Sequence, residues 1–274
     1  MHTHGKGAVS IGLLRSRYVR PMSNQVRLHP LLLGWLTADL GDMETGSSGA
    51  YRFPVPGYLI EHPQGLVVVD AGLHPDLAGG PGRLRALADH FTVELDPQRH
   101  SLPAALRLAG AHAADVGAVV LTHIHFDHTG GIVDLPNARV VVQASEWATA
   151  ADERSVRRGS IDAELGSITH DLQLLDGDAD LFGDGTVTCL DTGGHTVGHQ
   201  SIRVHTESGT QLICGDCCYF ARTLDGAALP PAAHDHDRQQ ASLARLRHEV
   251  AAGATPWFGH EPTQWAEHRH VTSR

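Results

Sequence analysis

The sequence lacks the features that mark several large classes of protein. It contains no apolar run of about 18 residues or more, the length that a membrane-spanning helix needs, so we expect no membrane partner. The short apolar stretch at residues 8–14 is not followed by a clear cleavage site, and we therefore predict a cytoplasmic protein. Positive charge is scarce as well, because 21 Lys and Arg residues face 31 Asp and Glu residues and leave a formal net charge of -10. This balance, without any Lys/Arg-rich run, argues against a nucleic-acid partner.

Cysteine is rare, and its four residues are Cys189, Cys214, Cys217 and Cys218. Adjacent cysteines such as the last two form a disulfide only with strain, so we expect reduced thiols that pack as small hydrophobic side chains. Cys214 and Cys217 match a C-x-x-C spacing, but no second pair accompanies them. A zinc ribbon or a redox site is therefore disfavoured.

The remaining composition is that of a folded protein. A hydrophobic fraction of 41% and a charged fraction of 19% argue against disorder, and 274 residues suffice for one large domain or two small ones. No low-complexity linker or break in composition divides the chain. We predict a tail and lead-in segment at residues 1–25 and a single domain over residues 26–274. The sequence contains no signal for an oligomeric state.

Apolar runs and helical patterns alternate along the chain, which predicts a layered α/β sandwich. A turn at residues 63–65 separates two apolar runs and predicts a β-hairpin. The polar segment Asp152–Ser167 predicts a surface excursion or lid. Further strands are predicted at 118–122, 139–143, 186–190, 201–204 and 211–213, and helices at 102–109 and at about 239–251.

Histidine is the residue type in excess, with 21 copies, and its most informative cluster directly follows a predicted strand. The segment Leu-Thr-His-Ile-His-Phe-Asp-His-Thr-Gly-Gly at residues 121–131 places His123, His125, Asp127 and His128 within six residues. In an extended chain His123 and His125 share a face, which suits two ligands on one metal ion. We expect the chain to tighten at residues 129–131, so that Asp127 and His128 turn toward a neighbouring ion. A polar loop with merely hydrogen-bonded histidines is a poor explanation of the whole string.

Three further candidates lie beside glycine at predicted strand ends: His195, Asp216 and His260. Glycine lets the backbone approach an ion closely, although a single Gly-His or Gly-Asp pair is usually only a turn. Together with the first cluster these residues make five histidines and two carboxylates. That set is large enough for two metal ions with nitrogen and oxygen ligands. A rival pair, His234 and His236, precedes a predicted helix, and we interpret it as a helix start.

Taken in order along the chain, these motifs resemble those of the metallo-β-lactamase superfamily, and within it the N-acyl homoserine lactonases. The match extends from about residue 57 to residue 260 and implies a metallo-β-lactamase-type αββα sandwich. It implies that His123, His125 and His195 hold one metal ion, that Asp127, His128 and His260 hold the other, and that Asp216 bridges them. Asp70, in an Asp-Ala-Gly segment, is implied as a support of the ligands. Phe126, Tyr219 and the segment at residues 198–201 resemble the lactonase branch specifically.

The resemblance implies a hydrolase that opens lactones, N-acyl homoserine lactones first of all, and so quenches quorum signals. Metal-bound hydroxide is expected to attack the carbonyl of a small-molecule lactone, while Tyr219 stabilises the oxyanion and Asp127 shuttles a proton to the leaving alkoxide. Two divalent metal ions are the implied cofactors. Zinc is the first expectation, and cobalt, iron or manganese are the alternatives.

Some departures from the lactonase pattern keep other activities open. Val197 replaces a common proline, Ala71 a threonine, and Glu261 a common aspartate, which allows a related lactone as substrate. A thioesterase of the hydroxyacylglutathione hydrolase type shares every ligand but needs basic residues for its substrate, and a phosphotriesterase on the same fold is a further alternative. A secreted β-lactamase would need an export signal. A diiron protein usually has a carboxylate at the position of His125, and a non-catalytic metal-binding module is the last alternative.

Overall fold

The computed structural model of the protein describes residues 25–79, 90–150 and 171–268. The predicted excursion at Asp152–Ser167 and residues 1–24 of the predicted tail lie outside these ranges. Among the helices of the described ranges, none combines the length and the apolarity that crossing a membrane requires.

Two β-sheets form the centre of the fold. The strands of the first sheet are, in spatial order, β4 (Thr92–Glu94), β1 (Arg27–Asp39), β2 (Ala50–His62), β3 (Gly65–Val69), β5 (Val116–Val120), β6 (Arg139–Gln143) and β7 (Leu172–Leu175). Strands β3, β5, β6 and β7 pair in parallel, and the other pairs of this sheet are antiparallel. The parallel strands therefore deliver their carboxyl ends to one edge of the sheet.

The second sheet brings a further group of strand ends to one edge. Its strands are, in spatial order, β12 (Thr255–Phe258), β11 (Gly209–Gly215), β10 (Gln200–Thr206), β9 (Val187–Asp191) and β8 (Ala179–Asp180). Strand β10 is antiparallel to both β9 and β11, and β12 is parallel to β11. Strands β9, β11 and β12 consequently run in the same direction.

Helices pack against the two sheets. They are α1 (Leu102–Leu108), α2 (Phe126–Thr129), α3 (Ala144–Ala150), α4 (Ala221–Leu224), α5 (His236–Ala251) and α6 (Pro262–His268). Buried side chains of α1 pack on the outer face of the first sheet, and those of α5 pack on the outer face of the second. The architecture is the expected αββα sandwich.

The alternation of side chains along the strands produces the layers, because successive residues of a strand point to opposite faces. In β3, Leu66 and Val68 pack toward α1, whereas Val67 and Val69 pack between the sheets. In β11, Ile213 packs between the sheets and Leu212 packs toward α5. Both strands therefore contribute to two cores, as the continuous apolar runs of the sequence require.

Most predicted elements lie where the sequence placed them, and the hairpin forms as β2 and β3. Strand β1 was not predicted. A register shift between Leu32 and Trp35, with Gly34 at φ 142°, interrupts its alternation and hides the period of a strand. Helix α5 begins at His236, and the Asp235 side chain caps it by accepting from the Arg238 N–H.

The four cysteines are free thiols, and all are buried, as expected. Burial raises the pKa of the Cys189 thiol to about 12 and the pKa values of the other three well above their usual range. The thiols are therefore protonated at neutral pH and pack as hydrophobic groups.

Helix α1 offers a matched test of the outer core. Leu106 is fully buried, whereas Leu108, two residues later in the same helix, is 72% exposed. We expect Leu106→Ala to lower the free energy of unfolding by about 2 to 5 kcal/mol, because it removes buried methyl groups and leaves a cavity. Leu108→Ala should change it by less than about 0.5 kcal/mol. Denaturant unfolding at fixed metal concentration measures both values, and equal losses would contradict this packing.

Candidate metal centre

Every sequence-predicted ligand lies at one end of the sandwich, just beyond the carboxyl end of a strand. His123 follows β5, His195 follows β9, Asp216 follows β11 and His260 follows β12. The common direction of β9, β11 and β12 and the parallel pairing in the first sheet bring these ends together. The candidate ligands are thus held by rigid elements of both sheets.

The first motif changes conformation in its middle. The backbone is extended at His125 (φ -106°, ψ 160°) and then forms the single helical turn α2 from Phe126 to Thr129. The expected tightening at residues 129–131 was therefore placed too late, because the turn already begins at Phe126. The N–H groups of His128 and Thr129 both donate to the His125 carbonyl, at 3.1 and 3.2 Å. Because of this turn, Asp127 and His128 point in a different direction from His123 and His125.

The first set of candidate ligands, here called the three-histidine group, consists of His123, His125 and His195. The Nδ1 atom of His125 lies 2.8 Å from Nε2 of His123 and 3.3 Å from Nε2 of His195. The Oδ2 atom of Asp216 lies 3.5 Å from each of those two Nε2 atoms. All four potential ligand atoms lie within 4.8 Å of one another.

The second set, here called the aspartate–histidine group, consists of Asp127, His128 and His260. The Oδ2 atom of Asp127 lies 3.7 Å from Nε2 of each of the two histidines. The other oxygen of Asp216, Oδ1, lies 3.4 Å from Nε2 of His128 and 3.3 Å from Nε2 of His260. Asp216 therefore presents one oxygen to each group.

Hydrogen bonds at the far side of three imidazoles determine which nitrogen is free. Nδ1 of His260 donates to the Pro54 carbonyl (2.9 Å), and Nδ1 of His128 donates to Oδ2 of Asp70 (2.8 Å). Nδ1 of His123 donates to the Thr122 hydroxyl (3.0 Å), which itself donates to Asp70 (2.8 Å). The Nε2 atoms consequently turn lone pairs toward the groups.

Several of the inward-facing atoms have no hydrogen-bonding partner. Nε2 of His128 and Oδ1 of Asp216 are buried and form no hydrogen bond. Buried polar atoms without partners are costly, and a bound cation satisfies imidazole and carboxylate lone pairs that converge from several sides. Imidazole nitrogens with carboxylate oxygens suit zinc and its first-row neighbours. The residues present therefore fit two divalent metal ions.

The electrostatics of the two groups differ. Burial lowers the pKa values of His123 and His195 well below their usual range, so both imidazoles are neutral. Burial also opposes charge on His128, but the carboxylates of Asp216, Asp127 and Asp70 outweigh it and raise the pKa of His128 well above its usual range. The aspartate–histidine group thus has a surplus of negative charge that a cation neutralises.

Asp70 holds the first motif with its carboxylate, although its own backbone conformation is strained. It is the only non-glycine residue with positive φ (55°) among the described residues, and it is 2% exposed. Its Oδ1 accepts the Thr122 N–H at 2.8 Å, while its Oδ2 accepts from the Thr122 hydroxyl and from His128. The three bonds offset the strain and orient the ligands, as expected for this residue.

A pocket of about 710 Å³ opens above the candidate ligands. Its walls are mainly apolar and come from several loops: Met43, Phe53, Phe91, Phe126, Val197, Tyr219, Pro230, Pro231, Ala232 and Ala233. The sequence had not identified most of these positions, because scattered apolar residues on loops form no periodic pattern.

Tyr219 lies between the two groups at the pocket wall. Its ring centroid is 5.6 Å from that of His195 and 5.2 Å from that of His260. Burial, together with the charges of Asp216 and Asp127, raises the pKa of the Tyr219 hydroxyl well above its usual range. The hydroxyl is therefore protonated at neutral pH and can donate a hydrogen bond into the pocket.

Three other polar residues near the pocket, His234, His199 and Glu146, lie outside the two groups of candidate ligands. His234 lines the pocket at the residue before the Asp235 cap, so the predicted helix start is correct and the segment also contributes to the wall. His199 belongs to neither group, because Nδ1 bonds with the Thr192 hydroxyl (2.9 Å) and Nε2 accepts the Cys217 N–H (3.2 Å). Glu146 lines the pocket and was missed, since a lone acidic residue near a helix start is an ordinary sequence feature.

Comparisons with known proteins agree with this geometry. The Metallo-beta-lactamase superfamily profile matches residues 50–254. The N-acyl homoserine lactonase AttM of Rhizobium radiobacter is 32% identical over 251 residues, which cover 88% of this chain and 95% of that protein. A curated N-acyl homoserine lactonase of a Bacillus species is 27% identical and covers 77% of this chain and 82% of its own length.

Solved structures share the fold. A variant of AiiA from B. thuringiensis, with N-decanoyl-L-homoserine bound at the active site, superposes with a TM-score of 0.78 at 23% identity, covering 88% of this chain and 95% of that one. An N-acyl homoserine lactone hydrolase with the product N-hexanoyl-L-homoserine at its catalytic metal center superposes with a TM-score of 0.77 at 23% identity, covering 89% and 96%. The chain belongs to the metallo-β-lactamase superfamily, in its N-acyl homoserine lactonase-like branch.

Proposed function

We propose that this protein is a metal-dependent hydrolase that opens the ring of N-acyl homoserine lactones. The single observation that carries the proposal is the position of Asp216, whose two oxygens face two different sets of ligand atoms beneath an apolar pocket. The names of the curated relatives and the products bound in the solved structures support the same substrate class.

The proposed ligands of one ion are the three-histidine group, and those of the other are the aspartate–histidine group, with Asp216 shared between them. When bound, the two cations act as Lewis acids and make water nucleophilic at neutral pH. Zinc as the native metal and a cytoplasmic location stay predictions from the sequence.

The protein itself supplies a hydrogen-bond donor and a proton carrier. Attack of water on the lactone carbonyl places negative charge on the carbonyl oxygen, and the protonated hydroxyl of Tyr219 donates to it. The bond between the carbonyl carbon and the ring oxygen then breaks, and the leaving alkoxide needs a proton. Asp127, which lines the pocket, carries that proton from the attacking water to the alkoxide.

The pocket walls suit an acylated lactone. An acyl chain is apolar, and the walls formed by Met43, Phe91 and Phe126 remove it from water. The rings of Phe91 and Phe126 meet edge to face at 5.4 Å, which makes a firm wall. No Lys or Arg occurs among the described residues that line the pocket, which disfavours the anionic glutathione thioesters of the hydroxyacylglutathione hydrolase type.

The first test concerns the shared aspartate. Asp216→Ala should lower the content of bound metal more than any single His→Ala substitution among the proposed ligands, because it removes an oxygen from both groups. His234→Ala is the matched control and should retain both ions, since His234 is exposed at the pocket wall. Elemental analysis after dialysis measures metal per chain, and circular dichroism checks folding. A folded Asp216→Ala protein with two ions would show that the bridge is misassigned.

The second test concerns the reaction. Metal-loaded protein should open N-acyl homoserine lactones and release one proton per turnover, followed with a pH indicator, in a panel that includes thioesters, β-lactams and phosphotriesters. Tyr219→Phe keeps the ring but deletes the hydroxyl, so we expect turnover to fall roughly tenfold to several hundredfold while metal content is unchanged. Intact lactones beside a cleaved thioester or phosphotriester would refute the lactonase assignment.

A further inference from the structure

A buried carboxylate lies beneath the loops that carry the three-histidine group. Glu146 belongs to the first turn of α3, directly after β6, and is 4% exposed. Its Oε1 accepts the N–H of Ile124 at 2.9 Å, and its Oε2 accepts the N–H of Gly198 at 2.8 Å. Ile124 lies between His123 and His125, and Gly198 lies three residues after His195. One side chain therefore joins the two loops.

The packing around Gly198 is a second, independent sign of this close approach. A Cβ atom added at Gly198 would lie 2.4 Å from the Glu146 nitrogen and 2.6 Å from Oγ of Ser145. No real side chain fits at such distances, so glycine is required where the His195 loop meets α3. The loop thus rests directly on the helical turn that carries the carboxylate.

The support beneath Glu146 is itself fixed. Nε2 of Gln143, at the end of β6, donates to Oε1 of Gln200 (2.9 Å), and Nε2 of Gln200 donates to the Leu121 carbonyl (2.7 Å). Gln143 also exchanges two hydrogen bonds with the Gly177 backbone (2.9 and 3.0 Å). These amide bonds connect the end of β6 with the chain just before His123 and just after the His195 loop, so the helical turn has a defined position relative to both loops.

The aspartate–histidine group is oriented by other residues. His128 is held by Asp70, and His260 is held by the Pro54 carbonyl. The two hydrogen bonds of Glu146 instead flank His125 and the His195 loop. A change at position 146 should therefore act unequally on the two groups.

We propose that Glu146 is a positioning residue that sets the spacing between the His123–His125 segment and the His195 loop, and thereby the metal affinity of the three-histidine group. The inference rests on the metal ligands proposed above. The carboxylate suits this role because it accepts on both oxygens, so it can serve two backbone donors at once. Through these bonds it touches no ligand side chain and acts on the ligands through the backbone.

Two substitutions remove one or both of the hydrogen bonds that Glu146 accepts. Glu146→Gln is nearly isosteric but offers only one acceptor oxygen, so one loop loses its bond and faces an amide NH₂. Glu146→Ala removes both bonds. We expect Glu146→Gln to weaken the affinity for one of the two ions about tenfold to a hundredfold, the range found for partners that orient ligands, and Glu146→Ala to weaken it further. The affinity for the other ion should change little.

The experiment is a Co²⁺ titration of metal-free full-length protein, followed by the visible absorption of the bound ion. Two reference variants, His125→Ala and His260→Ala, give the titration and spectrum of protein damaged in one group or the other. Glu146→Gln should resemble His125→Ala. Glu249→Gln is the control, because Glu249 is a half-buried partner of Arg203 (3.0 Å) outside the two groups and the pocket lining, and its titration should match wild type.

The outcomes distinguish a failure of the proposed metal centre from a failure of the proposed role of Glu146. Wild-type protein that binds fewer than two Co²⁺ ions contradicts the metal centre itself, and with it this inference. If wild type binds two ions, the inference alone is overturned by a Glu146→Gln titration that equals wild type, resembles His260→Ala, or shows equal weakening of both ions. Selective weakening of one ion, with the spectral change of His125→Ala, supports it.

Discussion

One buried carboxylate, that of Asp216, is divided between two sets of imidazoles, and strand ends of both sheets converge on it. Asp216 is 2% exposed, and each of its oxygens lies 3.3 to 3.5 Å from two histidine nitrogens. Burial alone would raise its pKa, but the imidazoles of His260 and His128 hold the pKa well below its usual range. A cluster of this kind is stable only when positive charge occupies it, since lone pairs that converge without a donor are costly. The nitrogen and oxygen donors of this cluster suit metal ions as the source of that positive charge.

The sandwich architecture makes this cluster possible because no single element could supply it. Strands of both sheets end at the same edge, where the end of β5 contributes four candidate ligands and the ends of β9, β11 and β12 contribute one each. Hydrogen bonds that His128, His123 and His260 donate to Asp70, to the Thr122 hydroxyl and to the Pro54 carbonyl then determine which nitrogen of these three imidazoles faces inward. The strained backbone of Asp70 is tolerated because its carboxylate has three donors in the first motif. The strand ends, the tautomers of the imidazoles and the charge of Asp70 thus all support the same site.

The sequence predicted those parts of the site that adjoin strong local patterns. The candidate ligands at residues 123–128 follow a continuous apolar strand, so the sequence could predict both their position and the clustering of metal-binding residue types. Strand β1 was not predicted, because the shift near Gly34 breaks its alternation. Glu146 was missed for a different reason, since its partners are backbone groups of loops 22 and 52 residues away. Such contacts depend on tertiary packing, and no local spacing of residues signals them.

Anomalous diffraction from crystals of metal-loaded protein, recorded at the absorption edge of the metal, would locate the ions relative to Asp216. We predict two peaks per chain. One lies among His123, His125 and His195 and the other among Asp127, His128 and His260. One oxygen of Asp216 is directed at each peak. A single peak, or a second peak away from Asp216, would contradict this prediction.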